Sequence, residues 1–239
     1  MSNLGYQFYS RQDEFRYLIQ NGFAVSHKEI EAAFSIDSAS RLEFNVEYPG
    51  LLIGLGYLFP KEANNDAQYN LGFSFDHTSG LPYLPGSSVK GVLRSVFPKS
   101  GEDTSRIQFI QAMTGRELDY NEIKKIEITY FGPRTHEVET RSGKKSQDTF
   151  YDSYILHTGD SYILDEYITP HGDDPTKNPV PIKMIKIAPE NRLVVQICFS
   201  ADESLLTQEE RKNLFTGILE FTGAGAKTNV GFGHLSSIG

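Results

Sequence analysis

The chain has 239 residues, a formal net charge of −8, one cysteine (Cys198) and no apolar run of the length, about eighteen residues, that a membrane-spanning helix needs. These figures exclude an internal disulfide and a multi-cysteine zinc site, and with the 21 glycines counted the apolar share suffices for one compact domain over residues 1–239. The opening residues MSNLGYQFYSRQDEF have neither a basic start nor an apolar core, so no signal peptide and a cytoplasmic location are expected.

In chain order, the first thirty-five residues read as partly helical, with Phe15, Leu18 and Ile19 on one face. Residues 42–48 alternate apolar and polar at period two, a strand that Pro49-Gly50 ends; residues 51–59 read as a second, buried strand, and residues 61–68 as a polar loop. Residues 88–97 form the clearest helix: Val89, Val92, Leu93, Val96 and Phe97 follow i, i+3, i+4, i+7, i+8, with Lys90 and Arg94 on the other side. Ser87 or Ser88 is its expected cap, and Pro98 its stop. Ile126, Ile128 and Tyr130 suggest a short strand, and residues 132–147 an exposed polar loop or hairpin. Residues 181–189 and 192–200 read as strands, the second apolar enough to be central. A last helix opens with the capping box Thr207-x-x-Glu210, carries Leu214, Phe215, Ile218 and Leu219 on one face, and ends at Gly223. A short strand at 230–235 follows. No period repeats along the chain. Strands with two amphipathic helices predict an α+β fold: an antiparallel sheet with helices on one face, and a ferredoxin-like (RRM-like) β-α-β-β-α-β core with insertions.

A net negative chain is an unusual nucleic-acid binder, yet its charge is uneven. Residues 87–99 hold Lys90, Arg94 and Lys99 without an acid, and residues 223–239 hold Lys227 without one, while acids gather at 102–103, 117–127 and 202–210. Screening confines a charge to roughly 8 Å at physiological salt, so a phosphate backbone answers to the local face. Ordinary solvated surface is the other reading of each cluster.

Two segments carry chemistry. Gly223-Ala-Gly-Ala-Lys-Thr-Asn-Val-Gly-Phe-Gly233 has four glycines in eleven residues; successive exposed amides can form an anion nest, Lys227 adds a full charge, and Thr228 a hydroxyl donor. A plain chain reversal is the alternative. A Walker A loop is excluded, because its two glycines would fall on Phe221 and Ala226, and because this loop follows a helix instead of opening one. In Leu84-Pro-Gly-Ser-Ser-Val-Lys-Gly-Val-Leu-Arg94, a helix N-terminus offers free amides with Ser87, Ser88 and Lys90 as side-chain donors; a capped surface helix is the alternative.

Together, residues 85–94 and 223–233 resemble the RAMP superfamily of CRISPR-associated proteins, as do Phe150-Tyr-Asp152, similar to that family's aromatic-aspartate strand, and Asp165-Glu-Tyr-Ile-Thr-Pro-His171. The last of these, with the GAGAKT ending, is similar to the sixth-subunit family of type III-B (Cmr) effector complexes. The resemblance runs from about residue 84 to the C-terminus. It implies a ferredoxin-like palm with a protruding thumb hairpin, for which residues 132–150 with Arg134, Arg141, Lys144 and Lys145 are the candidate. It also implies a place at the head of a ribonucleoprotein filament, against the 3′ region of a guide RNA and its paired target RNA, with backbone subunits and another head subunit as neighbours. Ser87, Ser88, Lys90, Arg94, Gly223, Gly225, Lys227, Thr228, Arg141 and Lys144 would line the RNA path. The family's target cleavage belongs to a different subunit, so no catalytic residue, metal or cofactor is expected here. Such a protein holds phosphates and sugars, leaving base pairing to read the sequence.

Three other readings stay open. A metal-independent endoribonuclease would use a histidine as general acid or base, from His27, His77, His136, His157, His171 and His234; none is paired with a second histidine or a lysine at a telling spacing, and His171 after Pro170 can simply brace a turn. A metal-dependent hydrolase would draw ligands from Asp160, Asp165, His171, Asp173 and Asp174. A pure scaffold would touch no RNA.

Overall fold

A computed structural model describes residues 3–54, 56, 69–133, 147–169 and 181–238. In chain order the elements are α1 (Leu4–Ser10), α2 (Gln12–Gln20), α3 (His27–Phe34), β1 (Ser40–Val46), β2 (Tyr83–Leu84), α4 (Gly86–Ser95), α5 (Thr104–Thr114), α6 (Tyr120–Phe131), β3 (Thr149–Phe150), β4 (Ser153–Leu156), β5 (Ile163–Ile168), β6 (Ile182–Ile187), β7 (Arg192–Cys198), α7 (Gln208–Thr222) and β8 (Leu235–Ser237). Among the described residues no helix is long and apolar enough to cross a membrane.

The main sheet is antiparallel, in the order β2-β4-β7-β1-β8, with β3 paired to the far end of β7. Its register follows the apolar alternation: Leu42 stands opposite Val195 and Phe44 opposite Leu193, so all four side chains share one face. Helix α7 packs on that face, with Phe215 against Phe150 of β3 at 5.9 Å between ring centroids. Strand β7 is central, as its apolar run predicts, and Leu193 to Ile197 are all buried. Because β7 is buried on both sides, helices do not keep to one face. The end of α3 covers the other, with Phe34 stacked on Tyr154 and its carbonyl accepting from Gln196 Nε2 at 2.9 Å. Strands β5 and β6 form a separate two-stranded sheet.

Three expected elements are corrected. Residues 126–130 lie inside α6, not in a strand. Ile123, Ile126, Glu127, Tyr130 and Phe131 are buried at helical spacing while Ile128 is exposed, and the buried carboxylate of Glu127 disguises the period in the sequence. Leu51, Leu52 and Ile53 are buried as expected but form only one bridge, Leu51 to Ile187, because other backbone groups of residues 50–52 bond to a loop. The rest of the expected strand and the loop at 61–68 fall outside the described residues, Gly54 and Gly56 apart. The last strand starts at Leu235, not at residue 230, since positive φ at Lys227, Gly231 and Gly233 breaks the extended chain before it. Of the insertion at 132–147, residues 134–146 lie outside the described residues.

Beneath α7 a buried ion pair joins three elements. Arg211, fully buried, donates through Nη1 to Asp148 Oδ1 at 2.5 Å and to Ser200 Oγ at 3.1 Å, and through Nη2 to the Ser200 carbonyl at 2.9 Å. Its guanidinium lies over Tyr130, 4.4 Å from the ring centroid. Burial pushes the Asp148 carboxyl up, against the Ser200 amide and Arg211, which pull it down. Truncating one member strands the other charge. Asp148→Ala should therefore lower stability by about 3–5 kcal/mol, read as a drop in the urea midpoint.

Candidate nucleic-acid interface

The glycine-rich segment begins where α7 must stop. Thr207 and Glu210 close the predicted capping box, and after fifteen residues the helix ends at Gly223, with φ 69°. From there the loop is bolted to the protein by its own amides. Ala224 donates to the Gly233 carbonyl at 2.9 Å, Ala226 to Leu52 at 2.8 Å, and Gly233 to Gly50 at 2.8 Å; Val230, Gly231 and Phe232 close turns onto Lys227 and Thr228. The glycines are needed for backbone to meet backbone. A Cβ on Gly225 would stand 2.3 Å from the Leu52 carbonyl, and one on Gly233 about as close to that of Ala224, both at positive φ. Phe232 is buried against Leu52 and Met184, which anchors the loop on β6.

This revises the expected anion nest. Most of the loop's amides are spent inside the protein. Those of Gly225, Lys227, Thr228 and Asn229 have no acceptor among the described residues, and Gly225, Lys227 and Asn229 are exposed. A narrower set of donors remains beside the Lys227 ammonium. Gly223, by contrast, is buried and acts as the helix stop.

Helix α4 starts differently from expectation. Pro85 is its N-cap residue, without a side-chain bond, and Ser87 and Ser88 are exposed in the first turn. The cap comes from Asp152, 66 residues away, whose Oδ1 accepts from the Gly86 amide at 2.9 Å. A Cβ on Gly86 would sit 2.3 Å from the Phe150 carbonyl. The Pro-Gly-Ser-Ser and Phe-Tyr-Asp motifs are thus two halves of one backbone contact. Lys90 is half-buried, 5.8 Å from the Phe150 ring centroid, and burial, then the charge of Arg94, pulls its ammonium below the ordinary lysine range. Arg94 is spent internally: Nε donates to the buried Glu127 at 2.6 Å and Nη2 to the Gly132 carbonyl at 2.7 Å, locking α4 to α6.

The two segments do not meet. Asp152, at the start of α4, is held by Gln196 near the end of β7, whereas the glycine loop hangs on Gly50 and Leu52, past the end of β1, which pairs with the start of β7 at Arg192. From Arg192 to Gln196 alone is about 13 Å at strand rise. Ser87, Ser88 and Lys90 stand toward one end of β7, Gly225, Lys227 and Thr228 toward the other. Arg141 and Lys144 lie outside the described residues.

Asp165 of β5 is not free for a metal. Lys183 reaches it at 3.0 Å and Tyr69 donates to it at 2.6 Å. Among the described residues no three histidine, cysteine or carboxylate side chains converge as a metal site; His171, Asp173 and Asp174 lie outside them. One pairing that spacing did not reveal does form: His27, at the start of α3, places Nε2 2.9 Å from the His157 carbonyl. Burial, then the neighbouring His27, lowers the His157 imidazole. The loop's anchors, Gly50 and Leu52, were equally hidden. Pro49-Gly50 is legible as a turn, but nothing in the residue pattern pairs it with a loop some 180 positions later.

A family model described as the RAMP superfamily matches residues 43–236. No curated protein matches the chain. Among solved structures it is similar to a chain of the cryo-EM structure of the type III-B Cmr-beta bound to cognate target RNA, with TM-score 0.56 and 23% identity over 83% of this chain and 58% of that one. It is also similar to the crystal structure of Cmr6 from Pyrococcus furiosus, with TM-score 0.50 and 20% identity over 85% of this chain and all of that one. The chain thus spans less than two thirds of the Cmr-beta chain it matches, and at these identities the likeness is one of fold.

The close approach of the loop predicts opposite effects at two glycines. Gly233→Ala, at positive φ against a carbonyl, should destabilise by at least ~1–2 kcal/mol. Gly91→Ala, in exposed helix with nothing within 4 Å of the new methyl, should stabilise by about 0.5–1 kcal/mol. Chemical denaturation of the two variants checks both signs.

Proposed function

From the premise that the chain belongs to the RAMP superfamily across residues 43–236, we propose that it is a non-catalytic subunit at the head of a type III-B (Cmr) RNA-targeting complex of antiviral defence, where it holds guide RNA and its paired target. The observation that carries this reading is the glycine loop. Its fold is locked by bonds to Gly50 and Leu52, while the amides of Gly225, Lys227, Thr228 and Asn229 have no acceptor among the described residues and the lysine is exposed. Donors fixed before the ligand arrives suit a polyanion whose sequence varies, since phosphate contacts position without reading bases. The Cmr-beta structure was determined with bound target RNA, and its likeness in fold supports the same class of partner here. Other effector subunits would be the protein neighbours, and the thumb sought within residues 132–150 would fall before Asp148, since Asp148 is buried and Thr149–Phe150 pair with β7.

The order β4-β7-β1-β8, with α4 before β4 and α7 before β8, supports a ferredoxin-like palm: reduced to β1-α4-β4-β7-α7-β8, it is a split β-α-β unit repeated. Arg94 enters this proposal as a positioning residue, because its guanidinium already holds α6. Ser87, Ser88 and Lys90 form a second contact toward the opposite end of β7, so an RNA strand touching both must run along the palm or pass to a neighbouring subunit.

A second reading keeps one observation in its favour. His27 reaches the His157 carbonyl, and burial, then His27, lowers the His157 imidazole, favouring the neutral form that a general base uses. Incubating the purified chain with repeat RNA in chelator separates the two readings: intact RNA is expected, and specific cleavage lost in His157→Ala would overturn the non-catalytic assignment.

For the main reading, retention of single-stranded RNA by the purified chain should weaken in Lys227→Ala combined with Lys90→Ala. The slope of log affinity against log salt should become shallower by about 0.7 for each phosphate contact removed. An unchanged affinity and slope would leave the chain a scaffold without RNA contact.

A further inference from the structure

The exit of β1 presents one aromatic ring to solvent where the main core has no use for it. Tyr48 is 82% exposed, the most exposed of the large apolar or aromatic side chains among the described residues. Its neighbours in space belong to the glycine loop. The turn carrying it is closed by the Gly50 amide on the Glu47 carbonyl at 2.8 Å, and is then tied to the loop on both sides: the Glu47 amide donates to His234 at 2.9 Å, and the Gly233 amide to Gly50 at 2.8 Å. Across the gap, a methyl on Gly231 would stand 3.9 Å from Pro49 Cδ. Val230, 64% exposed, lies on the same loop. The backbone that carries Tyr48 and the glycine loop therefore share one hydrogen-bonded frame.

An exposed tyrosine alone needs no explanation. Here it stands on a turn hydrogen-bonded to the loop that carries Lys227 and the amides without an acceptor, and the adjacent carboxylate, Glu47, is engaged by the Ser236 hydroxyl. A cation and free backbone donors on the same frame as an exposed aromatic ring are the chemistry that takes up single strands, because every base has a π-face and stacking tolerates any sequence. Nothing apolar need be buried around the ring for that use. We infer that Tyr48 is a stacking platform for one base of a single-stranded RNA segment whose phosphates lie along Lys227 and the amides of Gly225, Thr228 and Asn229; this rests on the RNA-holding role proposed above and names a residue and a contact class that the phosphate reading lacks.

The chain contains no tryptophan, so Tyr48→Trp installs a single indole at the platform. With an oligoadenylate of about 16 nucleotides as probe, at the upper end of single-strand site sizes, the indole emission should be quenched on binding. Tyr48→Ala should weaken binding about 5- to 150-fold, the alanine cost of one stacked base, with the salt slope unchanged because stacking releases no counterion. Tyr48→Phe should bind like the parent chain, which excludes a folding artefact and a role for the hydroxyl alone. Lys227→Ala, measured in parallel, should weaken binding and make the slope shallower. If Lys227→Ala weakens binding while Tyr48→Ala does not, or if Tyr48→Phe fails like Tyr48→Ala, the platform is overturned and the RNA-holding role stands. If neither substitution changes binding, that role falls and the platform with it. If Tyr48→Ala leaves RNA affinity intact but prevents incorporation of the chain into the assembled particle, the ring meets a protein partner and the inference is equally overturned.

Discussion

Two backbone hydrogen bonds, from Ala226 to Leu52 and from Gly233 to Gly50, hold together what the rest of the molecule arranges. They join the end of α7, the end of β1 and, through Phe232 and Met184, the β5–β6 sheet. Each bond is worth only about 0.5–1.5 kcal/mol net. Their geometric demand is larger than their energy, because carbonyls stand where a Cβ would be at Gly225 and Gly233. The glycine loop is thus first a packing device. The donors left without an acceptor are what remains after that packing is satisfied.

The electrostatics follow the same economy. The net charge of −8 is not relieved by the ion pairs within the fold, because they engage cations as well as carboxylates: Asp148 with Arg211, Glu127 with Arg94 and Lys124, Asp165 with Lys183, Glu166 with Lys186. Such pairing removes local fields of both signs. Arg94 illustrates the cost, since it loses its availability to a ligand by serving Glu127. Lys227 carries no such pairing among the described residues, and a single lysine with a few amides makes a weak site by itself. A site of this strength suits a subunit whose RNA is also gripped by neighbours, where tethering multiplies modest affinities.

Regular elements with a clean period were legible. The alternation of Leu42, Phe44 and Val46, the apolar run of β7, the helical spacing of Val89 and Leu93 and the capping box of α7 all follow from local rules and stand in the structure. Helix α6 was misread because a polar residue, Glu127, occupies a core position that only a tertiary partner makes tolerable. Helix α4 was placed correctly but capped wrongly: serines are adequate local caps, and no local signal announces that Asp152 arrives from a distant strand to do the work.

What the sequence by itself determined is the set of residues with special backbone freedom and charge: the glycines, Lys227, the Pro-Gly helix entry and the Phe-Tyr-Asp strand, since their chemistry is intrinsic to residue type. Only the tertiary structure decided how those resources are divided. It spends most loop amides on Gly50, Leu52 and neighbouring turns, sets the α4 serines toward the opposite end of β7 from Lys227, brings His27 to the His157 carbonyl, and leaves Tyr48 exposed beside the loop. The reason is that antiparallel pairing of β1 with β7 and β8 sends each connection to one end of the strands or the other, a consequence of long-range register to which no local spacing of residues gives access.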